Sequence, residues 1–280
     1  MKTVLVTLIL GIFAQQYGAE GFRVLAFYHG TWDLAHISFV GDCQRYFPSI
    51  QNEHGFTYES TTDWSRINDN NLRNYDVIMF LDDLPSDSNQ KAAFQRYIEG
   101  GGGFIGYHVS AFTQSANDWS WYHNTFLGSG DYLGNTWRPT SAVLQNEAPS
   151  HPALARLPDK FTTQPNEWYK WTRDLTQNSN IQILLSIHPD SFPLGTGPNP
   201  WEIWYDGYYP VVWTNKNYNM LYVNMGHNDI AYEDQNQELS HTFDNAVQNR
   251  MIIDGLKWLA SRRSSWNKTP ENPLFKVLSK

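Results

Sequence analysis

Residues 86–108 restrict the fold more than any other stretch. Ser86 or Asp87 caps a helix through about Glu99, with Ala93, Phe94, Tyr97 and Ile98 on one face. Residues 100–103 are all glycine and turn the chain into a short apolar strand over 104–107, which stops at His108. A helix returned through a glycine turn into a buried strand is half of a βαβ unit, and the upstream sequence supplies the other half. Residues 75–81 read Tyr-Asp-Val-Ile-Met-Phe-Leu, nearly continuous in apolarity, as strands of parallel sheets are. Residues 23–28 and 56–59 read as two further strands. Between them, residues 37–52 carry helix-spaced Phe39, Val40, Cys43, Phe47 and Ile50, and Pro48 inside that run signals a break or an early end. Alternation of this kind predicts an α/β fold with a mostly parallel sheet.

The second half is richer in strands. Residues 140–144, 161–163, 167–171, 181–187, 211–214 and 220–225 are candidates, and a last helix is expected over 240–261. No repeat or linker interrupts residues 20–264, so one domain is expected there. Residues 265–280 form a polar tail with two prolines.

Residues 1–19 have the layout of a secretory signal. Lys2 gives a positive start, residues 4–13 an apolar run too short to anchor in a bilayer, and Ala14 and Ala19 small residues for cleavage. The mature protein is therefore expected to be soluble and secreted or periplasmic, with no membrane span. Cys43, the only cysteine, makes no intramolecular disulfide; among Phe39, Val40 and Phe47 it reads as core packing. The net charge of −8 argues against a nucleic-acid partner, which needs a concentrated basic surface. Charged residues make up 17% of the chain and aromatic ones 15%. Aromatic faces in such excess line sites for sugars, although a large α/β core also uses them. The clusters Trp119–Trp121–Tyr122 and Trp201–Trp204–Tyr205–Tyr208–Tyr209 are open to both readings.

Ligands of open α/β sheets bind outside the carboxyl ends of the strands. Four strand ends carry polar groups of one chemical kind: His29, His108, Glu167 followed by Trp168 and Tyr169, and His227 followed by Asn228. Three imidazoles and a carboxylate suit a divalent metal such as zinc, or acid–base work near neutral pH. Unliganded histidines in a polar sugar cleft are the alternative, and a histidine that only packs at the strand end is another for His108. His108, His227 and Glu167 are the candidate catalytic residues, and His29, His108 and His227 the candidate metal ligands. His29, Trp121, Tyr169 and Asn228 are candidates for substrate contact. His151 before Pro152, His54 at a helix end and the Asp82–Asp83 pair read as caps or loop starts.

In order along the chain these motifs resemble the trehalose-utilisation, or ThuA-like, family. The resemblance rests on Tyr28-His29-Gly30, on residues 75–81 and on the block from Phe94 to His108. It continues through Trp119, Trp121, Tyr122, His151-Pro152-Ala153, Glu167-Trp168-Tyr169 and Gly226-His227. It covers about residues 22–262 and implies a flavodoxin-like, class I glutamine amidotransferase-like layered sheet. Those amidotransferases carry a cysteine nucleophile at a strand-to-helix turn, where this chain reads Tyr107-His108-Val109, so thiolate-driven glutamine hydrolysis is not expected. The chain departs from the family's usual pattern at Val109-Ser110 and at Asn228. The resemblance implies a role in carbohydrate utilisation; with the signal-like start and the polar strand ends, the expectation is an exported protein that acts on a disaccharide, glycoside or keto-sugar through a His/Glu site. As an enzyme it would be a metal-assisted sugar hydrolase, lyase or isomerase; a non-catalytic carbohydrate-binding or scaffold domain is the alternative.

Overall fold

A computed structural model describes residues 21–136, 139–195, 197, 200–227 and 240–266. The signal-like segment, residues 267–280 of the polar tail and Asn228 lie outside the described residues, and the first two residues of that tail continue the last helix. The elements, in chain order, begin with strand β1 (Phe22–Phe27), helix α1 (Leu34–His54), β2 (Phe56–Thr61), the short α2 (Asp69–Leu72), β3 (Val77–Phe80), α3 (Ser88–Glu99) and β4 (Gly103–Tyr107). They continue with β5 (Tyr132–Asn135), β6 (Val143–Asn146), β7 (Lys160–Thr162), β8 (Tyr169–Trp171), β9 (Ile181–Ile187), β10 (Pro210–Asn215), β11 (Met220–Val223) and α4 (Ala246–Trp266).

Nine strands form one sheet in the order β2-β1-β3-β4-β11-β10-β9-β6-β7. The first five pair in parallel. Taken alone they have the order 2-1-3-4-5 of flavodoxin-like folds, whose ligands sit at the carboxyl edge. The remaining four pair antiparallel, which is the strand-rich second half expected from sequence. β5 and β8 form a separate antiparallel ribbon.

Alternate residues of the parallel strands face two cores. Val24, Ala26, Val77, Met79, Ile105 and Leu221 pack with the apolar faces of α1 and α4. Leu25, Phe27, Ile78, Phe80, Phe104 and Tyr222 point the other way, onto α3. This strict period of two makes three layers. The glycine turn is tight for a physical reason. Gly101 has φ 81°, and a Cβ on Gly102 would lie 2.3 Å from the Tyr97 ring.

Several boundaries differ from the sequence expectation. α1 starts at Leu34 and runs through Pro48 without stopping. Pro48 and Gln44, whose carbonyl loses its helical partner, are both exposed, so water can satisfy that group. The last helix begins at Ala246 rather than near 240, because Asn245 caps the first turn through its Oδ1. β5 has no counterpart in the expectation; it is four residues long and contains Gly134, too little for a periodic signal. Cys43 is buried in the core as expected.

Phe94 sits at the centre of the second core, its ring 4.8 Å from Phe80, 5.2 Å from Phe104 and 6.1 Å from Phe126 between centroids. Phe94→Ala should therefore cost about 3–5 kcal/mol, the range for emptying a buried aromatic site. The measurement is the urea midpoint, which should fall while the m-value stays constant.

Candidate active site at the carboxyl edge of the sheet

β4 and β11 are neighbours in the sheet, so the residues that follow them emerge side by side. His108 follows β4 and takes φ 38°, a strained left-handed backbone at a sharp turn into a short 3-10 helix. Three residues beyond β11, Gly226 has φ 145°, and a Cβ there would lie 3.2 Å from the Cβ of His108 and 3.3 Å from the Phe39 ring. Glycine is required for the chain to pass this close and deliver His227. The two imidazoles lie nearly parallel with centroids 5.3 Å apart.

The third strand end arrives through a lattice of hydrogen bonds. Glu167 donates its backbone N–H to the His227 carbonyl at 2.9 Å, and Gly226 donates to Asn166 Oδ1 at 3.2 Å. Asn224 clamps the same segment from both sides. Its Nδ2 donates to the Glu167 carbonyl at 2.8 Å, and its Oδ1 accepts from the Tyr169 N–H at 3.1 Å. The Glu167 carboxylate is held at Oε1 by the Asn135 amide of β5. Its Oε2 lies 3.1 Å from His108 Nε2 and 3.8 Å from His227 Nδ1.

The first turn of α1 completes the cluster. Asp33, the helix N-cap, accepts from the Ala35 N–H at 2.9 Å and places Oδ1 3.4 Å from His227 Nε2. His36, one turn on, is buried with centroid distances of 4.7 Å to His227 and 5.5 Å to His108. Neither of its ring nitrogens has a hydrogen-bond partner, and the same holds for His227 Nδ1. His36, Glu167 and His227 form the floor of a cavity of about 260 Å³, Asp33 stands at its mouth, and Trp32, Phe112, Tyr132 and Tyr169 wall it. His108 is fully buried beneath, its ring 4.0 Å from that of Tyr169.

The charges follow from these neighbours. Burial pushes the His108 pKa below that of a free imidazole, and contact with Glu167 only partly offsets it. Burial, with His227 and His108 close by, drives His36 well down, so it is neutral. His227 goes the other way: burial opposes its charge, but Glu167 and Asp33 on its two sides outweigh burial and raise its pKa. Burial likewise raises Glu167, yet His227 and His108 more than compensate and hold its carboxyl below the ordinary value. Asp33 is also held well down, its burial outweighed mainly by the hydrogen bond and charge of His227.

The buried Nδ1 of His108 faces the Asn224 carbonyl oxygen at 2.8 Å. A carbonyl only accepts, so Nδ1 carries a proton, and Nε2 faces the ionised Glu167, where it either donates a second ring proton to the carboxylate or offers its lone pair to a cation. Two acceptors 3.1 Å apart need a proton or a cation between them. A backbone carbonyl that fixes the tautomer of a histidine is also the usual support of a metal ligand. Two overlapping groups have ligand atoms within 4.8 Å of one another: His108, Glu167 and His227, and Asp33, His36 and His227. Nitrogen and carboxylate donors of this kind fit zinc, and the unpartnered nitrogens of His36 and the unpartnered Nδ1 of His227 are donors left open to a cation.

Sequence reasoning thus found His108, Glu167, His227 and Tyr169 and missed Asp33, His36, Asn135 and Asn224. His29 is not brought to them. Its Nδ1 lies 2.5 Å from Asp83 Oδ2 and its ring stacks on Trp64 at 5.4 Å. β1 stands two strands from β4 in the sheet, a displacement of about 9–10 Å at the usual strand spacing. Metal ligation through His29 in this cleft is therefore corrected. Trp121 does not line the cavity either; it stacks on Phe126 at 5.0 Å, beside Phe94. Asp82 starts a loop as expected, accepting from the N–H groups of His29 and Gly30. His151 accepts from the Ala153 N–H and packs edge-on against Trp258, which is a structural role.

The structure defines a flavodoxin-like α/β protein with a histidine–carboxylate centre where the parallel strands end. The family profile described as trehalose utilisation (ThuA) matches residues 23–258, so the chain belongs to the ThuA family and to carbohydrate utilisation with it. A solved ThuA-like protein from Bacteroides uniformis is 31% identical, with a TM-score of 0.77 over 88% of this chain and 95% of that one. A second, from Parabacteroides merdae, is 18% identical with a TM-score of 0.58, over 86% and 90% of the two chains. No curated protein matches the chain.

Two predictions follow from this geometry, both for chelator-treated protein. Asn224→Ala leaves the Tyr169 N–H and the Glu167 carbonyl unpaired and buried, so it should cost about 1–3 kcal/mol for each group in urea unfolding. His227, followed by its ring proton resonances, should titrate above the ordinary imidazole value of 6.5 and shift down in Glu167→Gln. Because its pKa is raised by folding, its contribution to stability is full below pH 6.5 and disappears as pH rises through the folded-state value.

Proposed function

We propose that this cleft is the active site of an exported sugar-processing enzyme, built around a divalent cation held by His108, Glu167 and His227. The observation that carries the reading is the contact just beneath the floor, His108 Nε2, with Nδ1 held to the Asn224 carbonyl, 3.1 Å from Glu167 Oε2. Such a pair is arranged to share a positive species. Bound there, a zinc-like ion would supply Lewis-acid polarisation of a sugar carbonyl or hydroxyl.

The chain's own residues do the rest. Asn135 and Asn224 fix Glu167 and His108 before any ligand arrives, so little reorganisation is left for the reaction. Asp33, partly exposed at the mouth, is held ionised and can accept a proton from a sugar hydroxyl or α-carbon. Trp32, Phe112, Tyr132 and Tyr169 offer apolar faces to the sugar ring and exclude water from one side of it. A cavity of about 260 Å³ suits one sugar unit, with any second unit or aglycone directed to solvent. A keto-sugar or glycoside is the substrate class that uses a polarising ion and a carboxylate base together. Export is supported by the leader-like residues 2–19. No helix among the described residues is long and apolar enough to cross a membrane.

The test is elemental analysis of purified protein followed by a screen of glycosides and keto-sugars. Bound metal and turnover are expected, both lost in His108→Ala and Glu167→Ala, with turnover down by about 10²-fold or more. Sugar affinity with neither metal nor turnover would establish the non-catalytic module instead. Turnover that survives both substitutions would place the chemistry elsewhere.

A further inference from the structure

We infer that the cleft holds two divalent cations bridged by the imidazole of His227, an inner ion on His108, Glu167 and His227 Nδ1 and an outer ion on Asp33, His36 and His227 Nε2. This rests on the reading of His108, Glu167 and His227 as a metal site and extends it to residues which that reading leaves without a ligand.

The inner ion does not account for His36. The side chain is 3% exposed, and both of its ring nitrogens lack a partner. A buried unpaired polar group costs about 1–3 kcal/mol, so an imidazole kept in this state within a cluster of ligand-type residues points to a missing partner. Its neighbours of the right type are Asp33 and His227, and ligand atoms of the three lie within 4.8 Å of one another.

The ring of His227 presents its nitrogens to opposite sides. Nδ1 is towards Glu167 at 3.8 Å and Nε2 is towards Asp33 at 3.4 Å. Zinc bonds of about 2.0–2.2 Å in tetrahedral geometry put two donors about 3.3–3.6 Å apart. The separations of 3.1 and 3.8 Å around the inner position bracket that range, and 3.4 Å at the outer one lies within it. These separations are close to the spacing that an ion requires, and the other ligand atoms of each set lie within 4.8 Å.

Coordination at both ring nitrogens needs the His227 ring, which Glu167 and Asp33 favour in its protonated form when no ion is bound, to release both ring protons to solvent, which leaves one anionic bridge between two dications. Zinc–nitrogen bonds of about 2.0–2.1 Å on opposite edges of the ring place the ions about 6 Å apart. That is wider than the 3.5–4 Å of metal pairs that share one oxygen. The two ions would then take separate oxygens of one sugar, such as a carbonyl and a hydroxyl on neighbouring carbons. Each ion has three protein ligands and an open position, the pattern of catalytic rather than structural sites. The outer ion stands at the mouth beside Trp32, since Asp33 is the partly exposed member of its set.

The experiment is zinc stoichiometry on the full chain, stripped with a chelator, reloaded with excess zinc and passed into zinc-free buffer. Two ions per chain are expected for the wild type, one for His36→Ala and none for His227→Ala. Asp33→Asn, which keeps the helix cap, guards against a folding defect and should also retain one ion. Far-UV circular dichroism checks that each variant is folded. In copper-loaded protein the imidazolate bridge should couple the two ions and weaken the electron paramagnetic resonance signal per copper relative to His36→Ala. One zinc in the wild type, unchanged by His36→Ala, would overturn the second ion and leave the first standing. No retained zinc in the wild type would overturn both.

Discussion

The hydrogen bond from His108 Nδ1 to the Asn224 carbonyl decides what the rest of the site can be. It joins the ends of two adjacent parallel strands, and it dictates which lone pair of a fully buried ring is free. Without that tautomer the ring would simply donate to Glu167, and the pair would be an ordinary buried ion contact. With it, the neutral ring meets the carboxylate acceptor to acceptor, and each further bond in the neighbourhood maintains that confrontation. Asn224 grips the backbone on both sides of Trp168, Asn135 holds the other carboxylate oxygen of Glu167, and Gly226 leaves room for the two strand ends to approach.

This order carries an energetic tension. His36, His108, Glu167 and His227 are all removed from water, and burial disfavours charge on every one of them. The cluster resolves it by division: His227 becomes the cation between two carboxylates, while His108 and His36 stay neutral. Such divergence among like groups in one cleft is how folds assign distinct roles to identical side chains. The aromatic walls raise the strength of each interaction by keeping solvent from the floor.

Much of this was legible in the sequence, for identifiable reasons. Buried parallel strands are continuous apolar runs, so their ends are visible, and the rule that ligands gather there picked out His108, Glu167 and His227. Strand order is not visible, and order is what separates His29 from the others. Pairing within the sheet puts β3 between β1 and β4, a fact decided by long-range contacts that leave no local pattern. Asp33 and His36 did leave a trace. An aspartate precedes the first helical residue as N-caps do, and His36 falls on the buried stripe shared with Phe39, Val40, Cys43 and Phe47. Starting the helix at residue 37, three positions too late, hid both. Asn135 and Asn224 gave no signal, because a short polar side chain that ties backbone to backbone looks the same in sequence as one facing water.

The turn after β4 has a wider consequence. A residue forced into left-handed geometry between a strand and a short helix has its side chain thrust into the crevice, whatever that side chain is. Hydrolases use such an elbow to present a nucleophile; here it presents an imidazole. Evolution of new chemistry on this scaffold could then proceed by exchange at a single buried vertex, with the layered framework around it left untouched.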